Sequence, residues 1–136
     1  MTSYEVRPVA RIESSLTDRA TAPKQGDEGA PPARVVFDPE FRPAAADLRP
    51  GDRLVLLTWL HGADRGVQAV RPRSDPDRPR TGVFSTRSPD RPNPIGLHTV
   101  TVTAVEDGTL TVTGLEAIDG TPVLDVKPVL GEPAER

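Results

Sequence analysis

The chain contains no cysteine, and only one methionine, one tryptophan, one tyrosine and three phenylalanines among 136 residues. Without cysteine there are no disulfides, no thiolate nucleophile and no cysteine zinc site, as in a cytoplasmic protein. The two histidines, His61 and His98, do not stand at metal-ligand spacing, so no metal site is expected. No apolar run approaches the roughly 18 residues of a membrane helix, and the N-terminus lacks a basic-then-apolar signal pattern. The expectation is a soluble, cytoplasmic protein with no membrane partner. Glycine-rich phosphate loops are missing as well. Ser85 and Ser88 lack a histidine and an acid in a hydrolase arrangement. Lysine is scarce: Lys24 and Lys127 are the only two among 17 basic residues. A compact ammonium at those two points is either required there or placed by chance.

What the chain has in abundance is punctuation. Sixteen prolines and eleven glycines interrupt it too often for long helices, and leave short strands joined by turns. Its length suits one domain, residues 1–136, with one core. Strands are expected over 4–12, with Pro8 at an edge, and over 34–37. Leu54-Val-Leu-Leu-Thr-Trp-Leu60 is the most apolar run and reads as a strand buried on both faces. Two further strands, 66–71 and 81–86, flank an arginine-rich loop at 71–81. Residues 44–48 allow one helical turn. Residues 97–115 form a hairpin, for which a three-residue loop, Glu106-Asp107-Gly108, pairs Val102 with Val112 and Ala104 with Leu110, and stacks Thr101 on Thr113 and Thr103 on Thr111. The last strand is 123–126, stopped by Pro128. About seven short, mainly antiparallel strands argue for an all-β fold, a small single-domain β-barrel. Residues 13–33 make an unusually long loop, of the kind that is commonly functional.

Charge is distributed unevenly. The net charge is −3, yet between Arg71 and Arg91 six arginines face three aspartates, and this basic strip is either a site for an anionic ligand or a solvated loop with local pairing. Within it, Thr81–Leu97 stands out. Pro89, Pro92 and Pro94 fix three backbone angles and restrict the residues before them. The segment reads as a stiff loop presenting Arg87, Ser88, Arg91 and Asn93, either as a preorganised ligand platform or as a connector. With 23–25, 61–62 and 118–121 it forms a set of polar turns at strand ends, which a barrel can bring to one pocket. His61 also reads as a residue that simply caps its strand.

Gly82-Val-Phe-Ser-Thr-Arg-Ser-Pro-Asp-Arg-Pro-Asn-Pro-Ile-Gly-Leu97 resembles a signature of the TsaA-like (YaeB/TrmO) family. Asp119-Gly-Thr-Pro-Val-Leu-Asp-Val-Lys-Pro128 is similar to that family's second signature, and Tyr4–Gln25 to its N-terminal strand and loop. The resemblance covers nearly the full chain. It implies a β-barrel methyltransferase that uses S-adenosyl-L-methionine and forms a homodimer with the cofactor near the subunit interface. The implied reaction is N6-methylation of threonylcarbamoyladenosine at position 37 of tRNA. A small-molecule acceptor in the same pocket, or a non-catalytic cofactor-binding sensor or partner protein, are the alternatives. Carried over by motif, the cofactor contacts are Pro23, Lys24, Gln25, His61, Gly62, Arg87, Leu97, Ile118, Asp119, Gly120 and Thr121. Arg91 and Asn93 remain for substrate or for loop geometry. Asp125 or Asp119 is the candidate acid-base group, and either is equally readable as structural. Gly62 replaces a long polar residue common in the family, the stretch before His61 is less aromatic, and a C-terminal extension of larger members has no counterpart.

Overall fold

The computed structural model describes residues 1–20, 22–24 and 29–131. Its centre is a closed, six-stranded antiparallel barrel. The strands in chain order are β1 (Ala10–Glu13), β2 (Ala33–Phe37), β3 (Arg53–Trp59), the two-residue β4 (Ala69–Val70) and β5 (Thr81–Gly82), β6 (Ile95–Glu106), β7 (Thr109–Thr113) and β8 (Pro122–Pro128). Around the barrel the order is β1-β2-β7-β6-β3-β8, with β8 returning to β1, while β4 and β5 pair separately. Closure leaves the barrel no free edge to pair with another chain.

Alternation builds the core. Ile12, Val35, Leu56, Val100, Val112 and Val123 point inward and are at most 2% exposed, each from a strand whose next residue faces out. Leu54, Leu56 and Thr58 of β3 face inward, but Val55, Leu57 and Trp59 lie half-buried on the outer wall. The expectation that both faces of this strand are buried within the chain is therefore corrected, because one barrel wall has only one inside. The first strand is shorter than expected and begins at Ala10, leaving Pro8 outside it. The expected strands 66–71 and 81–86 shrink to two residues each, and Val83–Ser85 forms a 3-10 turn. Pro39–Ala45 is also a 3-10 helix, opened by Asp38, whose side chain accepts from the Glu40 amide.

The β6–β7 hairpin corrects the expected loop. Asp107 (φ 46°) and Gly108 (φ 71°) form a two-residue turn, and next to it Val105 pairs with Leu110 and Ala104 with Thr111. A bulge at Thr103 then shifts the ladder by one, so that Val102 meets Val112 and Thr101 meets Thr113 as expected. One extra residue on one strand reconciles a tight turn with a buried face. Thr103 does not stack on Thr111; its hydroxyl donates to the Thr111 carbonyl at 3.2 Å. Among the described residues, no helix is long and apolar enough to cross a membrane.

Candidate functional site at one end of the barrel

Strand direction decides where the connections fall. The links β1→β2 (residues 14–32), β3→β6 (60–94) and β7→β8 (114–121) all leave the barrel at the same end, where Trp59 meets Ile95 and Glu13 meets Arg34. The other end holds the 38–52 link, the Asp107–Gly108 turn, the start of β1 and the end of β8. Segments 23–24, 61–62, 87–94 and 118–121 thus belong to one end of the barrel.

Asp90 ties the three-proline loop to the first link and to the stretch after His61. One carboxylate oxygen accepts from Arg19 of the first link at 3.0 Å, and the other accepts from the Asp64 amide at 2.9 Å. The Arg19 hydrogen bond, reinforced by the Asp64 amide and the arginine's charge, holds the Asp90 pKa below its ordinary 3.8 despite partial burial. Arg65 adds a second fastening: it donates to the Pro92 carbonyl at 2.8 Å and to Asn93 Oδ1 at 3.0 Å, and lies 5.2 Å over the Trp59 ring. The Leu60 amide donates to the Pro94 carbonyl at 2.8 Å.

Inside the three-proline loop, Arg91 is committed. It donates to the carbonyls of Ser88 (2.7 Å), Val83 (2.9 Å) and Thr86 (2.6 Å). Thr86 caps the turn through its own hydroxyl, which donates to Val83 and accepts from the Ser88 amide. Arg87 is the opposite case: it is exposed and makes no side-chain hydrogen bond or ion pair among the described residues. A rigid loop with one spent arginine and one available guanidinium is suited to gripping an anionic group.

The 114–121 link packs against the start of the first link. Asp119 accepts from the Ser14 amide through Oδ1 at 3.0 Å and donates its own amide to the Leu16 carbonyl at 2.6 Å. The Gly120 amide donates to the Ile12 carbonyl at 2.8 Å and the Thr121 amide to Ile118 at 3.2 Å. Gly120 (φ 81°) supplies the left-handed conformation that this turn requires. With its amides spent, the turn offers a ligand the Asp119 and Gly120 carbonyls and the second oxygen of the Asp119 carboxylate.

Leu97 and Asp125 lie elsewhere, on the outer wall. Leu97 pairs with Leu57, and Leu57 with Asp125, so all three share one outward face. Asp125 stands 3.5 Å from Lys127 Nζ and accepts from the Val126 amide. His61, Gly62 and Lys24 are exposed at the barrel end and Pro23 is half-buried there, while Gln25 lies outside the described residues. An open groove of about 790 Å³ runs along the outside of β1 and β2 beside the Asp119–Gly120 turn. Of the expected contacts it touches only those two residues; Arg11, Glu13 and Arg34, which the sequence did not single out, are the charged residues among the rest of its lining. Glu13 bridges both arginines at 3.1 Å.

The architecture is that of a small closed barrel with three of its four longest strand connections gathered at one end. A model of the tRNA-methyltransferase O N-terminal domain matches residues 11–132. The chain belongs to this family. It is 42% identical over 125 residues to a "Probable S-adenosyl-L-methionine-binding protein" of Halobacterium salinarum, covering 90% of this chain and 96% of that one. It is also 42% identical over 124 residues to a protein of the same description from Methanothermobacter thermautotrophicus, covering 90% and 88%. A mouse tRNA (adenine(37)-N6)-methyltransferase is 55% identical over 53 residues, 39% of this chain and 12% of that one. Crystal structures of TrmO superpose with TM-scores of 0.77 and 0.74 at 32% and 30% identity, over 95% and 96% of this chain. The chain spans 58% and 56% of those two solved chains.

Proposed function

We propose that the chain is an S-adenosyl-L-methionine-dependent methyltransferase acting on N6 of threonylcarbamoyladenosine at position 37 of tRNA. The carrying observation is the fastening of the three-proline loop, the 61–66 segment and the first link through Asp90, at one barrel end, in a member of this family. Preorganised loops lose little freedom on binding, which favours a ligand held in one pose.

The residues at this end fit the cofactor's chemistry. Arg87 presents its free guanidinium to the methionyl carboxylate. The Asp119 and Gly120 carbonyls accept from the adenine amino group, which has protons to give. Gly62 has open space around it, so only backbone serves at that position. Pro23, Lys24 and His61 close the cofactor side, and Gln25 is a further cofactor contact in this reading. Bound, the cofactor supplies an electrophilic methyl group; the chain's task is to keep water out and the acceptor nitrogen in line. Arg91 and Asn93 act by shaping the loop, since the first holds three carbonyls and the second is held by Arg65.

The working unit in this reading is a homodimer. Val55, Leu57 and Trp59 with Ile95 and Leu97, the last two 47% and 44% exposed, form an apolar outer wall of β3 and β6 for a second copy to cover. That arrangement brings Leu97, and Asp125 as the acid-base group, to the partner's barrel end. Asp119 takes the same role if Asp125→Asn leaves kcat intact.

Calorimetric titration with S-adenosyl-L-methionine tests the cofactor, and no binding at high micromolar concentration rejects the reading. Nucleoside analysis of tRNA from a strain lacking the gene tests the acceptor: unchanged methylated threonylcarbamoyladenosine rejects tRNA. The archaeal relatives of similar length are named for binding alone, which favours a small-molecule acceptor or a non-catalytic sensor as the second reading. Cofactor binding without product on tRNA, followed by a screen of small acceptors, separates those two.

A further inference from the structure

β7 and β8 are consecutive in the chain but stand three places apart around the barrel in either direction. Residues 114–121 therefore cross the barrel end, and Leu115 and Ala117, 0% and 6% exposed, plug it. Between them Glu116 reaches His98 of β6, with Oε1 2.5 Å from Nδ1, and the other ring nitrogen lies 2.7 Å from Thr58 Oγ1 of β3. The His98 side chain is 5% and the Glu116 side chain 15% exposed.

The partners determine the protons. An ionised carboxylate only accepts, so Nδ1–H donates to Glu116; the Thr58 hydroxyl has a proton to give, so Nε2 accepts it. Thr58 Oγ1, both ring nitrogens and Glu116 Oε1 are matched, and no buried side-chain polar atom among the described residues lacks a partner. Hydroxyl, imidazole and carboxylate in this order also make up a nucleophilic triad. Here Thr58 is 0% exposed inside the barrel, beyond any substrate, so the arrangement is mechanical. An apolar trio would fill the same space without desolvating an acid, and buried polar chains of this kind add geometric definition more than stability.

What it defines is the ligand turn. The turn's bonds through Asp119 and Gly120 go to Ser14, Leu16 and Ile12, at β1 and just beyond it. β6, on the opposite wall, is reached through His98–Glu116. We propose that His98 is a positioning residue: by holding Glu116 to the far wall it sets the 116–121 turn in one geometry for the ligand. Its cofactor arm rests on the function proposed above.

Two substitutions separate the halves of the imidazole. Asn keeps a donor where Nδ1 stands, and Gln places its amide where Nε2 stands. With His98→Asn, cofactor affinity measured by calorimetry should stay within about threefold of the parent. With His98→Gln it should fall roughly tenfold, the scale of one lost charge-assisted hydrogen bond. Glu116→Ala, at a partly exposed side chain, should match His98→Gln and covers the case in which the core variant does not fold. Hydrogen exchange at the Asp119 and Gly120 amides should accelerate in His98→Gln and Glu116→Ala but not in His98→Asn. Equal losses in the Asn and Gln variants, or slow exchange at both amides in Glu116→Ala, overturn the proposal. If the parent binds no cofactor, the methyltransferase reading fails, while the exchange pattern alone still decides the role of His98.

Discussion

Gly96 pairs with Thr58 across β3 and β6, and a Cβ built on Gly96 would stand 2.4 Å from Thr58 Oγ1 and 2.7 Å from His98 Nε2. The missing side chain is what lets hydroxyl and imidazole meet. Gly96→Ala should cost about 1–3 kcal/mol by overpacking a closed wall. Denaturant unfolding of Gly96→Ala, Thr58→Ala and the double variant should give a double cost well below the sum, because removing the Thr58 hydroxyl vacates the nearest clash. Strict additivity would show that the crowding lies elsewhere.

Asp90 makes stability depend on acid. Its folded pKa is depressed, so its contribution is fully present above the ordinary value of 3.8 and is lost as pH falls through the lower folded value. Comparing the parent with Asp90→Asn by chemical denaturation should show a gap of about 1 kcal/mol near neutrality. The gap should narrow below about pH 4. A gap that widens toward acid would contradict the assignment. Arg19→Ala should reproduce part of the neutral-pH loss.

Arg87 and Arg91 should behave differently although four residues apart. Arg87→Ala removes an exposed, unpaired group, so melting should barely change while cofactor affinity falls by about 1.5–3 kcal/mol. Arg87→Lys should recover only part, because an ammonium lacks the planar fork. A clear loss of folding in Arg87→Ala would mark it as structural.

Arg91→Ala strands the carbonyls of Thr86 and Ser88, while that of Val83 keeps the Thr86 amide and hydroxyl. Stability should fall by about 1–3 kcal/mol, and hydrogen exchange across 83–91 should quicken. Weakened substrate use with unchanged stability and exchange would instead make it a substrate contact.

The apolar wall gives a fifth expectation. Leu57→Asp, half-buried between Leu97 and Asp125, should convert a dimer to monomer in sedimentation, since a carboxylate there must lose its water to bury the wall. A parent that sediments as a monomer at tens of micromolar would remove the dimer from the reading.

Local patterns reached far into this fold. The apolar run at β3, proline spacing in 89–94 and glycine at 108 each act over a few residues, so strands, stiff loop and hairpin were legible. The hairpin register was half legible: the pairing beyond Thr103 followed from burying Val102 and Val112, but the bulge depends on reconciling that burial with the turn, which no short window contains. His98 and Glu116 were not recognised as a pair. They are 18 residues apart, and the available signal was modest: an imidazole at an inward-facing place in an otherwise apolar alternation.

From the sequence alone came the all-β class, the rigidity of the three-proline loop and the residue types available to a site, because these depend on torsions and side-chain periodicity. Tertiary structure decided the order β1-β2-β7-β6-β3-β8, and with it everything that joins distant segments. That order sends three links to one end, lets Asp90 fasten the first to the second, forces 114–121 across the barrel and puts Glu116 beside His98. Ring closure is a property of all the strands at once. Which side of Leu54–Leu60 faces inward, and which forms a wall for another surface, is settled only when the last strand meets the first.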